Sequence, residues 1–179
     1  MIIRPATDAD VVAVAAIYGH HVLNSTGTFE ETPPSEPEIA ARIAAVAALR
    51  LPYLVAQGDG GRVTGFAYAS AFRPRPAYRY TAEDSVYIHP DHMGRGVGKA
   101  LVAEVIDACA ALGVRQMIAV IGDSANAGSI GLHRSLGFQD AGVGRAFGFK
   151  FGRWVDVVWM QKTLGPGSDT TPTGEGLAL

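Results

Sequence analysis

The sequence contains a single cysteine, Cys109, and has no long apolar run. One thiol cannot form an internal disulfide, so the fold does not depend on an oxidising compartment. No stretch approaches the roughly 20 apolar residues of a membrane span. Residues 1–5 lack the long apolar core of a signal peptide. We therefore expect a cytoplasmic protein that does not insert into membranes.

Clustered positive charge is absent as well. The chain has 15 Lys and Arg against 17 Asp and Glu, a formal net charge of −2. Without a basic run there is no electrostatic footprint for nucleic acid. Two histidine pairs, at positions 20 and 21 and at 89 and 92, have no Cys or acidic cluster to complete a metal site. We expect no nucleic-acid partner, no membrane partner and no metal.

Hydrophobic periodicity and turn residues predict one domain over residues 1–164. The predicted order is a strand at 2–4, two helices, strands at 53–57, 62–72 and 81–88, a helix after Gly98, a strand at 117–121, a helix at 129–136 and two strands ending at 161. Tight turns imply antiparallel pairing, and the crossover after residue 88 implies one parallel pair. The fold class is therefore α/β, in the α+β sense, with a mixed, mostly antiparallel sheet of about six to seven strands and helices on both faces.

The helix into which residues 94–98 lead is expected to face the core with Val97, Leu101, Val105, Cys109 and Leu112. Residues 165–179 consist largely of Gly, Pro, Ser and Thr, with little apolar surface to bury. This composition predicts a disordered tail.

The sharpest local motif is a glycine loop that follows a strand and opens a helix. It consists of Gly94, Arg95, Gly96, Val97, Gly98 and Lys99. Glycines let a backbone approach a ligand closely, and free N–H groups at a helix N-terminus favour an anion. Met93 and Ala100 exclude a Walker A loop, and Lys99 excludes the dinucleotide fingerprint. A phosphate site and a plain tight turn both remain open on this motif alone.

The strand and loop together resemble a known superfamily. Val86, Tyr87 and Ile88 lead into the glycine loop as the corresponding strand does in the GNAT superfamily (Gcn5-related N-acetyltransferases). About thirty residues on, Asn126 and Ser129 are similar to positions on that superfamily's second coenzyme-facing helix. The resemblance covers residues 2–164 and implies the GNAT fold and acetyl-coenzyme A as co-substrate.

Three further segments narrow the resemblance to the phosphinothricin and methionine sulfoximine acetyltransferase branch. These segments are residues 28–33, 78–87 and 148–154, which appear in the expected order. The branch implies a small amino-acid-like amine as the acetyl acceptor: phosphinothricin, methionine sulfoximine, methionine sulfone or a related amino acid. One position departs from the pattern, because Asp91 or His92 stands where the loop usually begins with a basic residue or Gln. Arg95 remains well placed to meet a phosphate.

The resemblance assigns the coenzyme-binding residues. The backbone of Val86, Tyr87 and Ile88 is expected to pair with the pantetheine arm as an added strand and to polarise the thioester carbonyl. The amides of the glycine loop, Gly94, Arg95, Gly96, Val97, Gly98 and Lys99, are expected to hold the pyrophosphate. Asn126 and Ser129 are expected to contact the coenzyme from the facing helix, although Ser129 could equally be a simple helix-start residue.

Two residues are expected to be catalytic. Glu83 is the predicted general base, since an attacking amine arrives as ammonium and must first lose a proton. A surface glutamate is the alternative for this position. His133 lies where many relatives carry a Tyr that protonates the departing thiolate, so it is expected to act there or to assist the base. A packed helix histidine is the alternative for His133.

The amine is expected to be held by two segments. Guanidinium groups suit carboxylate and phosphinate ligands, so the arginine-rich loop suits the acidic ends of an amino acid. The resemblance implies that Arg73, Pro74 and Arg75 line the substrate site. The other predicted substrate residues are Glu83, Asp84, Ser85, Thr28 and Phe29. A solvated loop charge is the alternative for each arginine.

The resemblance leaves two other functions open: an acetyltransferase of protein N-termini or lysines, and a non-catalytic acetyl-coenzyme A sensor. The predicted base, Glu83, argues against the sensor. The arginine-rich loop argues against basic acceptors. Relatives commonly pair, so we expect a homodimer in which the aromatic segment 147–154 contributes to the interface.

Overall fold

A computed structural model describes residues 1–179, and a seven-stranded sheet in the order β1-β2-β3-β4-β5-β7-β6 forms its centre. The strands are β1 Ile2–Pro5, β2 Tyr53–Gln57, β3 Val63–Ala71, β4 Thr81–Ile88, β5 Gln116–Gly122, β6 Gln139–Lys150 and β7 Arg153–Thr163. The helices are α1 Val11–Asn24, α2 Glu36–Ala48, α3 Val97–Ala111 and α4 Ala127–Ser135. Every neighbouring pair is antiparallel except β4 and β5. The predicted fold class is confirmed.

The helices cover both faces of the sheet. On β4, the ring of Tyr87 lies 4.9 Å from that of Tyr18 in α1, whereas Asp84 contacts His133 in α4. Residues three apart on a strand point to opposite faces, so α1 and α4 lie on opposite sides. Between them lies one hydrophobic core, in which the largest fully buried side chains are Phe66, Leu101, Met117 and Met160. None of the helices combines the length and apolar character needed to cross a bilayer.

Two boundaries differ from the sequence prediction. Leu112 was expected on the core face of α3, but it follows the last helical residue and is 40% exposed. Helix α4 begins at Ala127 rather than at Ser129, because the side chain of Asn126 caps it by accepting a hydrogen bond from the Ser129 amide at 3.2 Å. Capping therefore sets this start two residues earlier than apolar periodicity indicated.

The parallel pair β4–β5 opens into a fork. Pairing runs from Thr81 opposite Gln116 to Asp84 opposite Ala119 and then stops, although β4 continues to Ile88 and β5 to Gly122. The facing edges beyond this point carry backbone groups with no strand partner across the gap. Buried backbone N–H and C=O groups need partners, so the fork is suited to a ligand that supplies them.

Residues 165–179 form no helix or strand but contact the domain. Leu177 is buried, and its amide donates to the Arg79 carbonyl at 2.8 Å. The Tyr80 hydroxyl donates to the carbonyl of Gly174, and the Arg115 guanidinium donates to that of Gly167. The prediction of a disordered tail, which rested on composition, did not anticipate these contacts.

Candidate active site

The fork between β4 and β5 holds a cleft with a volume of about 540 Å³. Its walls come from β5, the second half of β4, the end of α1 with the loop after it, the first turns of α4 with the loop before it, and the junction between β6 and β7. Of the residues predicted to bind ligands or to act in catalysis, the lining contains Asp84, Ser85, Val86, Tyr87, Ile88, Asn126, Ser129 and His133. The structure therefore brings the predicted pantetheine strand and the predicted second coenzyme helix to one cleft.

The glycine loop lies at one end of this cleft. Gly94 and Gly96 have φ values of +72° and +79°, a left-handed conformation that favours glycine. Gly96 precedes α3 without a side chain to cap it, so the N–H groups of the first helical turn have no partner. Gly98 packs beside the last residue of β4, since a Cβ there would lie 3.5 Å from Cγ1 of Ile88. An anion at the start of α3 would therefore adjoin the fork, with the exposed Arg95 nearby.

Asp84 and His133 form a buried pair on the α4 side of β4. Oδ2 of Asp84 lies 3.0 Å from Nε2 of His133, and Nδ1 of the same ring donates to the Ser129 carbonyl at 2.8 Å. Burial lowers the pKa of His133, but the hydrogen bond and charge of Asp84, together with the Ser129 carbonyl, outweigh it and raise the pKa overall. A carbonyl oxygen only accepts, so Nδ1 carries a proton, and the raised pKa favours a second proton on Nε2. Oδ1 of Asp84 has no hydrogen-bond partner in the protein.

Glu83 lies on the opposite face of β4, beside α1 and outside the lining of the cleft. Burial raises the pKa of its carboxyl, the charge of Asp84 adds to the rise, and the Arg73 guanidinium opposes both. Across the ladder Glu83 faces Ser70, and Ser85 faces Tyr68. A half-buried carboxyl with a raised pKa is a better proton acceptor near neutral pH than an exposed one.

The predicted substrate loop is exposed. The guanidinium carbon of Arg73 lies 4.7 Å from the ring centroid of Phe72, which packs against Tyr78. Pro74 and Arg75 are exposed, and none of these loop residues lines the cleft. Only Arg73 is linked to the predicted base, through its charge.

A second cavity of about 220 Å³ lies on the Glu83 side of the sheet. Its walls are mainly hydrophobic and come from α1, α2, β2 and β3; they include the aromatic residues Tyr18, Tyr53, Phe66 and Tyr68. Tyr18 also donates to Glu30 at 2.9 Å and lies 2.9 Å from Oγ1 of Thr28, on the predicted substrate loop after α1. Phe29 on the same loop is partly exposed.

Sequence reasoning missed several residues of the cleft, of which His21 is the clearest. Its Nε2 donates to the Ile88 carbonyl at 2.8 Å, and burial lowers the pKa of the ring. One lone pair of a carbonyl predicted to serve the pantetheine arm is therefore already engaged. The available signal was helical spacing, because His21 follows the inward-facing Tyr18 by three residues. Asp123, Phe151 and Arg153 also line the cleft and were not predicted to do so.

Comparison with known proteins matches this geometry. The model of the acetyltransferase (GNAT) family matches residues 16–138, which include β4, the glycine loop and the start of α4. The chain belongs to the GNAT family of acetyltransferases. It is therefore an enzyme, an N-acetyltransferase, as the sequence predicted.

Relatives of this GNAT enzyme span almost its whole length. A phosphinothricin N-acetyltransferase from Alcaligenes faecalis is 51% identical to this chain, in an alignment that covers 95% of this chain and 86% of the relative. An L-methionine sulfoximine/L-methionine sulfone acetyltransferase from Pseudomonas paraeruginosa is 42% identical to this chain, in an alignment that covers 92% of this chain and 95% of the relative. A similar fold is seen in the crystal structure of a phosphinothricin acetyltransferase from Sinorhizobium meliloti in complex with acetyl-coenzyme A. The TM-score is 0.95 at 50% identity, and the superposition covers 98% of this chain and 94% of the other. The resemblance to this branch is confirmed.

Proposed function

We propose that this GNAT enzyme transfers an acetyl group from acetyl-coenzyme A to the amino group of a small amino-acid-like substrate, such as phosphinothricin, methionine sulfoximine or methionine sulfone. The observation that carries the proposal is the fork between β4 and β5, which lies beside the uncapped N-terminus of α3 and is lined by the Asp84–His133 pair, with Glu83 on the opposite face of β4. The names of the relatives support the substrate class.

The chain has groups that fit each part of acetyl-coenzyme A. Edge backbone of Val86 and Ile88 offers hydrogen bonds to the amides of an extended arm. The first turn of α3, with Arg95 and Lys99 exposed beside it, offers N–H donors and positive charge to a pyrophosphate. Asn126 and Ser129 line the cleft from the other side. When bound, the coenzyme supplies the activated acetyl thioester.

Glu83 acts as the general base in this proposal. It accepts one proton from the substrate ammonium, directly or through a water, which leaves the nitrogen lone pair free to attack the thioester carbonyl. The raised pKa of Glu83 supports this role, because a carboxylate with a raised pKa is a stronger proton acceptor. Arg73 limits the rise.

His133 supplies a proton to the leaving group in this proposal. As the carbon–sulfur bond breaks and sulfur keeps the bonding electron pair, the Nε2 proton of His133 leaves its hydrogen bond with Asp84 and passes to the thiolate. Asp84 holds the ring with Nε2 beside the cleft, and the Ser129 carbonyl fixes the other nitrogen. Glu83 accepts one proton from the ammonium and His133 donates one to sulfur, so a single proton transfer from Glu83 to His133 restores both groups. The nitrogen carries a second surplus proton after the attack, and this proton is lost to solvent as the amide forms.

The proposed function is tested by thiol release from acetyl-coenzyme A with a panel of acceptors: phosphinothricin, methionine sulfoximine, methionine sulfone, ordinary amino acids and short peptides. We expect saturable turnover on at least one of the first three. Faster turnover on peptides would instead identify a protein acetyltransferase. Coenzyme binding without turnover on any acceptor would identify a sensor.

The proposed enzyme is a cytoplasmic homodimer that pairs through β6 and β7. Strand β6 is the edge of the sheet, and this hairpin exposes four large aromatic side chains, namely Phe147, Phe149, Phe151 and Trp154. A contiguous exposed apolar patch of this kind marks an interaction surface. A second copy of the chain is the occupant that the branch resemblance favours.

We expect Trp154→Asp to convert the dimer into a monomer, since Trp154 is 65% exposed and a buried unpaired carboxylate opposes association. Sedimentation velocity at micromolar concentration measures the change. Val12→Asp, at an exposed apolar position on α1, is the matched control and is expected to stay dimeric. A monomeric wild-type chain would contradict the proposed interface.

A further inference from the structure

The β6–β7 hairpin carries a buried lysine whose position the proposed chemistry does not use. Lys150, at the end of β6, is only 2% exposed. Its Nζ donates to two backbone carbonyls, those of Ser25 at 2.9 Å and Thr28 at 2.8 Å. Both carbonyls belong to the segment after α1, so one ammonium joins two points of that segment to a strand more than 120 positions away in sequence.

Burial of this ammonium carries a desolvation free-energy cost, and its hydrogen bonds offset that cost. Lys150 forms no ion pair, and burial lowers its pKa, with the charges of Glu31 and Glu30 opposing the shift. A buried charged group without hydrogen bonds would be strongly unfavourable. Charge-assisted hydrogen bonds are also the stronger kind. The two carbonyls are therefore tightly tied to Lys150.

The same face of β6 also receives an aromatic ring from the segment. Gly148 lies two residues before Lys150, and a Cβ at this position would overlap the ring of Phe29. Glycine is required here because the ring lies directly on the backbone. Strand β6 thus binds the segment twice, through the ammonium of Lys150 and through the bare backbone of Gly148.

Other groups hold the segment from its remaining sides. Oγ1 of Thr26 donates to Oδ2 of Asp123 at 3.3 Å, and Arg153 pairs with the same carboxylate. On the α1 side, Glu30 accepts from Tyr18 at 2.9 Å and pairs with Arg42 at 2.7 Å. These contacts fix residues 25–30 between β6, the end of β5 and the helices α1 and α2.

We propose that Lys150 is a positioning residue for the amine substrate. By holding the Ser25 and Thr28 carbonyls, it sets where Thr28 and Phe29 stand between the cleft and the Glu83 side of the sheet. Gly148 serves the same purpose by leaving room for the Phe29 ring. The proposal rests on the proposed function, because it takes Thr28 and Phe29 as part of the amine site. It gives the segment 148–154 a role that the sequence motif alone did not reveal.

The test is Lys150→Met, which keeps the length of the side chain and removes its donors. We expect kcat/KM for the amine to fall by about 10- to 100-fold through a higher amine KM, since a displacement of about 1 Å can cost that much. The acetyl-coenzyme A Kd, measured by calorimetry, is expected to change far less. Lys162→Met on β7, a lysine with no hydrogen bond or ion pair, is the matched control and is expected to behave as wild type.

Gly148→Ala provides a second variant, because it displaces the Phe29 ring and leaves the ammonium intact. It is expected to raise the amine KM in the same way, so the test stands even where Lys150→Met does not fold. Hydrogen exchange of the amides of residues 25–30 is expected to accelerate in both variants. Equal losses for both substrates, or an unchanged amine KM in a folded Lys150→Met or Gly148→Ala variant, would overturn the proposal.

Failure of the proposed function is distinguishable from failure of this inference. A wild-type chain that turns over none of the amines would refute the proposed function. The exchange experiment needs no substrate and still tests the link between Lys150 and residues 25–30. Unchanged exchange in Lys150→Met would refute the link whatever the wild-type activity.

Discussion

Replacing Glu83 with Gln is expected to lower kcat/KM for the amine by about 10²- to 10⁴-fold, the usual contribution of a general base. Gln has nearly the same shape and cannot accept the ammonium proton. Burial is the main reason that the pKa of Glu83 is raised above its ordinary value of 4.5. The base is active when ionised, so kcat/KM for the wild type should rise with pH through this raised pKa and level off above it. Thiol-release kinetics from pH 5 to pH 9 measure both effects.

Asp107→Asn is a suitable control for this experiment, because it also neutralises a carboxylate but lies on α3, outside the cleft. We expect its kinetics to match the wild type. The Glu83→Gln variant should lose the acidic limb of the profile along with its rate. A Gln variant that retains wild-type turnover would remove Glu83 from the mechanism and leave the Asp84–His133 pair as the remaining candidate base.

Replacing His133 with Leu is expected to lower the free energy of unfolding by about 3–5 kcal/mol, the cost of removing one partner of a buried pair. Asp84 would then keep its carboxylate with neither oxygen hydrogen-bonded, since Oδ1 is already without a partner. Asp84→Asn should cost much less, because an Asn amide can donate to Nε2 of a neutral imidazole. Denaturant unfolding of the variants measures the difference.

The double variant Asp84→Val with His133→Leu separates the two sources of this cost. It replaces the pair with apolar side chains, which is often neutral or stabilising, so most of the stability lost in His133→Leu should return. Recovery of stability without recovery of turnover would show that the pair serves catalysis. A double variant that turns over normally would contradict the proposed role of His133.

The pH dependence of stability follows from the same pair. A histidine whose folded pKa is raised contributes stability that is fully present below its unfolded pKa, about 6.5, and is lost as pH rises through the folded value. The folded pKa of His133 is raised. The stability of the wild type relative to the non-titrating double variant should therefore be largest below pH 6.5 and decline above it. A gap that widens with pH would contradict the assignment of a protonated ring.

Local patterns predicted most of the elements and the coenzyme side of the site. Strand β4, the glycine loop and α3 are adjacent in sequence, so alternation, glycine spacing and helical periodicity were enough to place them. The antiparallel hairpins and the single parallel pair followed from connection lengths. Leu112 was misplaced because periodicity does not show where a helix ends, and α4 because its start depends on the Asn126 cap.

The remaining site depends on contacts between distant residues. Asp84 and His133 are 49 positions apart, and Lys150 is 125 positions from Ser25. No spacing rule relates such residues, since tertiary packing alone brings them together. The resemblance to the branch included residues 148–154 but gave no physical reason for their presence in the motif. The contacts of this segment with the Phe29 ring and with the carbonyls of Ser25 and Thr28 provide one. Likewise, the sequence assigned Glu83 and Asp84 together to the substrate site and could not show that they lie on opposite faces of β4, with the imidazole on the Asp84 face.

The buried Leu177 has a practical consequence for handling the protein. Its amide donates to the Arg79 carbonyl at the end of the exposed arginine loop. An affinity tag or fluorescent fusion attached after Leu179 is expected to strain the hydrogen bond between Leu177 and Arg79 and to displace the loop that carries Arg73. Met1 is exposed, with no comparable anchor at its side chain. Purification handles and surface-immobilisation chemistry therefore belong at the amino terminus.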